Sequence, residues 1–194
     1  MNVSDPSKLI PELPSPSDLK PFPTQVSLDF NFHTTCVRTI ALSPNGRWLA
    51  SGDEASNLVI WNTKTSKIVR KYQMPHKVVD RVAWCPNESY CILAVANEET
   101  VHLVHPDLST SEVNKATRDL VREASKTYKL EAAAADKKEL HCTWEFKDQM
   151  TTLTLKHLIS NLCWHPKGDY FSTMAHNLQA TTQVLIHSVS KATS

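Results

Sequence analysis

The residues with the widest chemical repertoire in this chain are its nine histidines and five cysteines, and metal ligation is the first use to weigh. His102 and His105 stand three apart, a spacing that suits a helix face. They fall in a stretch patterned as a strand, where that spacing sends them to opposite faces. Cys163 and His165, two apart, could share a strand face, yet His165 falls in a turn. None of Cys36, Cys85, Cys91, Cys142 and Cys163 sits in a CxxC pair. No metal ligand and no cofactor-binding residue is assigned. Ser51 and His33 invite a nucleophile-and-base reading. However, GxSxG, GxGxxG, P-loop and HExxH are all absent, and only Gly46, Gly52 and Gly168 could shape a tight loop. No catalytic residue is assigned either, and an enzyme is not expected.

The 21 Lys and Arg nearly balance the 20 Asp and Glu, leaving a formal charge of +1, so there is no global pull toward nucleic acid or a membrane. No apolar run reaches the ~18 residues of a bilayer span, and MNVSDPSKL lacks a basic-then-apolar leader. The odd number of cysteines is read as reduced, buried, strand-borne thiols in a cytosolic or nuclear protein.

The elements that must position these groups repeat. Residues 33–62 read HTTCVRTIALSPNGRWLASGDEASNLVIWN, three alternating strand patterns separated by Pro44-Asn45-Gly46 and by a polar turn over 53–57. A His before the first strand and Trp-Asn closing the third make this stretch resemble a WD repeat, one blade of a β-propeller. In that resemblance His33, Ser51 and Trp61 take structural positions in a hydrogen-bonded network. The network's usual Asp position is Ala55 here, so the first blade's network is expected to be incomplete and its turn loose.

A degraded second copy follows at an offset of ~42 residues, the length of a four-stranded blade. Val79, Val82 and Trp84 answer Val37, Ile40 and Leu42, and Cys85-Pro86-Asn87 answers Ser43-Pro44-Asn45. Residues 92–96 and 100–104 are the next strands, with Val104 in the Trp position and His105 after it. The third copy runs from His157, with His165-Pro166-Lys167-Gly168 at the turn, strands over 169–173 and 184–187, and His187 in the Trp position. The fold class is therefore all-β, an incomplete WD-repeat propeller of about three blades with a helical insertion. The divisions are a proline-rich extended arm over 1–25 and a partial propeller over 26–194. Within the propeller, blade one covers 26–74, blade two 75–106 with 140–155 available to finish it, and blade three 156–194. The helical insertion is 107–139.

Between the copies lie segments with two readings each. The arm carries Pro6, Pro11, Pro14, Pro16, Pro21 and Pro23 interleaved with Leu9, Ile10, Leu13, Leu19 and Phe22; it is either a disordered leader or an extended segment along a protein surface. Residues 26–30 alternate as a strand. Residues 67–72 read as an outer strand, and Lys64, Lys67, Arg70 and Lys71 either meet RNA phosphates or guard a sheet edge. Residues 114–135 contain no Gly or Pro and place Val113, Leu120, Val121, Ala124 and Tyr128 on one face. They form either an amphipathic helix, inside blade two or between blades two and three, or a mobile loop.

Two stretches point further. The arm segment IPELPSPSDLKPFP over 10–23, just before the first repeat, resembles the linker of the block-of-proliferation family of ribosome biogenesis proteins. HPKGDYF over 165–171, with Lys156-His157 before it and VLIH over 184–187 and Ser190-Lys191 after it, resembles a later blade of the same family. ILAV over 92–95 fits the blade between. The resemblance implies a non-catalytic scaffold acting in pre-rRNA processing and assembly of the large (60S) ribosomal subunit. The implied partners are a pescadillo-type protein, a second WD-repeat protein and the pre-60S particle with its pre-rRNA, with no membrane contact. The implied location is the nucleus, in nucleolus and nucleoplasm. In that family a seven-bladed propeller follows a large N-terminal domain. Three blades would leave a cut apolar face on each side, to aggregate, to pair with another chain or to stay partly molten. A generic WD adaptor of another complex, or a shortened product without full function, are the competing readings.

Overall fold

The computed structural model describes residues 15, 25–75, 78–134, 142–147, 149–176 and 182–193. The arm over 1–25 lies outside these apart from Ser15 and Gln25.

Three antiparallel sheets follow one another along the chain. The first holds β1 (Val37–Leu42), β2 (Trp48–Asp53), β3 (Asn57–Asn62) and β4 (Ile68–Gln73) in sequence order. The second holds β5 (Arg81–Trp84), β6 (Leu93–Asn97), β7 (Thr100–Val104), β8 (Cys142–Lys147) and β9 (Met150–Leu155), arranged β5-β6-β7-β9-β8. The third holds β10 (Leu158–Trp164), β11 (Tyr170–His176) and β12 (Thr182–Ser188). The helix α1 (Ser111–Ala134) leaves from β7 and returns to β8, so it is inserted within the second sheet rather than after it. Residues 26–30 are a correction: they alternate in sequence but join no sheet, and Val26 is 85% exposed.

Registers make the repeat exact enough to align by position. Leu42 faces Leu49, Trp84 faces Leu93 and Trp164 faces Phe171. One strand further, Leu49 faces Trp61, Leu93 faces Val104 and Phe171 faces His187. Each first hairpin closes the same way: Ser43, Cys85 and His165 donate their backbone N–H to the carbonyls of Trp48, Ile92 and Tyr170. Gly46 and Gly168 hold φ of 68° and 75° in two of these turns, a region that a side chain would strain.

The first strands of neighbouring sheets lie side by side, β1 against β5 and β5 against β10. Two indoles tie them. Trp84 Nε1 donates to the Ala41 carbonyl at 3.1 Å, and Trp164 Nε1 donates to the Ala83 carbonyl at 3.1 Å. Sandwiched between two others, the second sheet buries both of its faces, so every residue of β6 and β7 is buried. That is why residues 93–97 and 100–104 read as nearly continuous apolar runs rather than alternating ones. Two cores result. One, with Leu58, Ile60, Trp84 and Val95, lies between the first and second sheets; the other, with Val101, Leu103, Trp144, Trp164 and Phe171, lies between the second and third.

The helix docks through polar and apolar contacts together. The Thr110 hydroxyl accepts the Val113 N–H at 3.4 Å near the helix start. The Thr117 hydroxyl accepts the Cys91 N–H at 2.9 Å, and Ala124 is fully covered. The Tyr128 hydroxyl accepts the Trp144 N–H at 3.3 Å, fixing the helix to β8.

The candidate interaction site

The most organised polar cluster is on the first sheet. Trp61 closes β3 and can only donate; it gives its Nε1–H to the Ser51 hydroxyl at 2.7 Å. Ser51 Oγ lies 2.6 Å from His33 Nε2, and His33 Nδ1 lies 2.8 Å from Asp53 Oδ2. For a neutral imidazole the protons therefore run one way: indole to hydroxyl, hydroxyl to Nε2, Nδ1–H to carboxylate. Asp53 also accepts the backbone N–H of Ala55 at 2.9 Å and of Asn57 at 2.8 Å, and the Asn57 side-chain amide at 2.8 Å. Burial alone would raise the Asp53 pKa, but the hydrogen bonds from Asn57, His33 and Ala55 outweigh it and hold the carboxyl below its ordinary value. Phe30 meets Trp61 edge-on at 5.5 Å, covering the indole from the open side.

This overturns the expectation that the network is incomplete. Asp53, two residues before Ala55, supplies the carboxylate, and Ala55 contributes its N–H to that same carboxylate. The turn is tight, not loose. A carboxylate at the end of β2 reaches both the His and the turn amides, so its place in the turn itself is not needed. The signal was there in Ser-Gly-Asp over 51–53, read by type instead of by fixed offset.

The other sheets keep the positions and change the chemistry. On the third, the Thr173 hydroxyl and His187 Nε2 sit 2.8 Å apart, where Ser51 and Trp61 stand on the first. Burial pushes the His187 pKa down to about 4. On the second sheet the same places hold Val95 and Val104, both fully buried, and Asn97, whose amide donates to the Val78 carbonyl at 2.6 Å. His102 is buried with Thr100 Oγ1 at 3.2 Å and Thr152 Oγ1 at 3.1 Å. His105 is buried, its Nε2 has no hydrogen-bond partner, and burial lowers its pKa to about 4. Neither histidine has a companion for ligation: among the described residues no three His, Cys, Asp or Glu gather as a metal set. No helix of the described residues is long and apolar enough to cross a membrane.

All five cysteines are free. Their placement corrects the expectation of buried, strand-borne thiols: Cys85 and Cys91 are buried but lie between strands, whereas Cys163 is on β10 and exposed, as is Cys36 off any strand. Burial raises the Cys85 pKa to about 11 and that of Cys91 in the same direction, so both are poor nucleophiles.

Two basic surfaces are candidates for contact with an acidic partner. A groove of about 370 Å³ between α1 and β8 is edged by Arg118, Arg122, Lys126, Lys129 and Lys147 around Phe146. Four of these cations already face carboxylates: Asp107 at 2.9 Å, Asp119 at 3.8 Å, Glu123 at 2.7 Å and Glu145 at 3.9 Å. The local field is correspondingly small. On β4 and the turn before it, Lys64, Lys67, Arg70 and Lys71 have no carboxylate within ion-pair distance among the described residues; Lys71 instead lies 3.8 Å over the Phe32 ring. Sequence reasoning singled out the second surface and missed the first, whose four-residue spacing of Arg118, Arg122 and Lys126 was its signal.

The repeated registers, the interlocking indoles and the His–Ser–Asp–Trp network define a WD-repeat chain whose propeller is open. Residues 24–62 match the family described as WD domain, G-beta repeat. Two solved structures share the fold. The chain aligns with one in the crystal structure of the Mitotic Checkpoint Complex (TM-score 0.51, 17% identity, 82% of this chain and 38% of that one). It also aligns with the Myceliophteria thermophila Cps50 (Swd1) β-propeller domain (TM-score 0.53, 12% identity, 84% and 42%).

More particularly, the likeness to the block-of-proliferation family extends over nearly the whole chain. It is 37% identical to "Ribosome biogenesis protein bop1" of Danio rerio over 198 residues, 98% of this chain and 24% of that protein. It is 36% identical to the "Ribosome biogenesis protein BOP1 homolog" of Aedes aegypti (96% and 22%), and 34% identical to that of Monosiga brevicollis (98% and 24%). The chain spans about a quarter of the length of these relatives.

Proposed function

We infer that the chain is a non-catalytic scaffold in ribosome biogenesis, supporting pre-rRNA processing and large-subunit assembly from the nucleolus and nucleoplasm. One observation carries this reading: relatives named for ribosome biogenesis align with 96–98% of the chain at 34–37% identity. The polar chemistry supports it. Its best-built cluster is spent internally, every proton of the relay being matched to an acceptor on the first sheet or on His33 beside it. Its partners are a pescadillo-type protein, a second WD-repeat protein and the pre-60S particle. The partial propeller over 26–194 offers sheet edges to them, together with Lys67 just before β4 and Arg70 and Lys71 on it.

Gradient sedimentation of the tagged chain tests this. It should travel with pre-60S particles, and its depletion should cause pre-rRNA intermediates to accumulate. Recovery in a different stable assembly, with pre-rRNA unchanged, would instead make it a WD adaptor of that assembly.

A further inference from the structure

We propose that the groove between α1 and β8 holds one compact phosphate monoester, seated against His105. The groove belongs to the second sheet, which has a neighbouring sheet on each side, so it does not depend on either end of the array. Its hollow of about 370 Å³ lies within the ~300–1,000 Å³ of small-molecule sites. The helix wall is a single stripe. Arg118, Arg122, Ser125 and Lys129 follow one another at helical spacings of four, three and four residues, which places them on one face. The strand wall brings Phe146 and Lys147 from the end of β8.

His105 separates this groove from an ordinary solvated basic face. It follows β7 directly, and its ring lines the groove although only 5% of the residue is exposed. Its Nε2 has no hydrogen-bond partner among the described residues. Folded chains seldom leave a buried ring nitrogen unpaired, and such a nitrogen is completed by a ligand or a water. Burial holds the imidazole neutral, with a pKa of about 4. Near neutrality the ring therefore offers one N–H to an acceptor and adds no charge.

The charges around it set the size of the ligand. Arg118 and Lys126 are held by Asp107 at 2.9 Å and Glu123 at 2.7 Å. Arg122 and Lys147 reach Asp119 and Glu145 only at 3.8 Å and 3.9 Å, with all four side chains more than half exposed. Pairs of that kind are weak and exchange readily for a better partner. Lys129 has no carboxylate within ion-pair distance among the described residues. Three available cations from two walls, the Ser125 hydroxyl and the His105 ring thus line one hollow. A phosphate monoester brings a charge near about −2 and three acceptor oxygens at neutral pH, which matches that donor set. A nucleic-acid strand fits poorly, because its next phosphates would lie over Asp119, Glu123 and Glu145. Half-buried Phe146 gives the carrier of the phosphate an apolar edge.

Titration of the full chain with inorganic phosphate, at a pH about one unit above its second ionisation, tests the site. The ring nitrogen resonances of His105 should shift saturably with a Kd of about 1 mM. Lys129→Gln and Arg122→Gln should each weaken binding ~10-fold and leave circular dichroism unchanged, both side chains being exposed. His105→Leu should abolish binding yet raise the thermal midpoint of the unliganded chain, because it removes an unpaired buried nitrogen. A phosphoserine peptide that binds ~10-fold tighter than phosphate would assign the monoester to a partner protein, and one that binds no tighter would assign it to a free metabolite. Three outcomes would each overturn the proposal: no binding of either probe, binding unaffected by the three substitutions, or a short oligouridylate that displaces phosphate at lower concentration than the phosphopeptide does.

Discussion

The first and second sheets share a register but hold their shape by different chemistry. On the first, Ser51, Asp53 and Trp61 join His33 in a polar relay. On the second, the matching places are Val95, Asn97 and Val104. The difference follows from position. The face of the first sheet that carries the relay looks away from the second sheet and, among the described residues, is covered by the segment holding Phe30 and His33. Directional bonds there do the fastening that burial between neighbours does for the second sheet. Of these two sheets, the one covered on both sides is fastened by apolar residues and the one with a face turned away from its neighbour by hydrogen bonds.

Acid should separate the regions most strongly. His105 and His187 have folded pKa values of about 4 against an ordinary 6.5, because burial penalises the imidazolium. Between those values the unfolded chain binds more protons than the folded one. Stability therefore falls as pH drops through that window and levels off below about 4. The loss is on the order of 3 kcal/mol for each histidine at the acid end. Urea midpoints measured across that range should slope steeply, and His187→Gln and His105→Gln should each flatten the slope. An unchanged slope in both variants would place the acid sensitivity elsewhere.

Next in size is the relay. Asp53→Ala strands His33 and the N–H groups of Ala55 and Asn57, at a cost of about 3 kcal/mol. Asn97→Ala, its counterpart, removes one bond to the Val78 carbonyl and should cost about 1 kcal/mol. Equal losses in chemical denaturation would collapse the distinction between a bonded and a packed sheet. Gly52→Ala comes third. Its Cβ would clash with Val79 Cγ1, displacing the Val79 segment from the first sheet for about 2 kcal/mol. The thermal midpoint should drop accordingly, and Gly52→Ala with Val79→Ala should recover part of it. Smallest is Arg38→Ala, which loses a 3.4 Å pair to Glu54 with both side chains about half exposed; its denaturation midpoint should correspond to within ~0.5 kcal/mol of wild type.

The three-sheet plan was legible because it is written in repeats: Trp84-Cys85-Pro86 and Trp164-His165-Pro166 stand at matching positions after Leu42-Ser43-Pro44. His187 in the Trp position could be read for the same reason. Asp53 could not, because side-chain reach lets a carboxylate act from a neighbouring position, which offset matching does not allow for. Residues 26–30 alternate like a strand, yet no partner edge lies beside them among the described residues, and alternation without a partner makes no ladder. The five-stranded second sheet was half visible: the strands over 142–155 were suspected, but their order, β9 before β8, depends on the return from α1.

The two indole bonds, Trp84 to Ala41 and Trp164 to Ala83, couple each sheet only to its neighbour. An array coupled in this way opens from its ends, as stacked repeats do. The middle sheet can be released only after one flank has peeled away. Amide exchange should therefore be slowest in β6 and β7 and faster in β2, β3, β11 and β12. That ordering makes the second sheet, whose repeat signature is the weakest of the three, the last part of the molecule to let go.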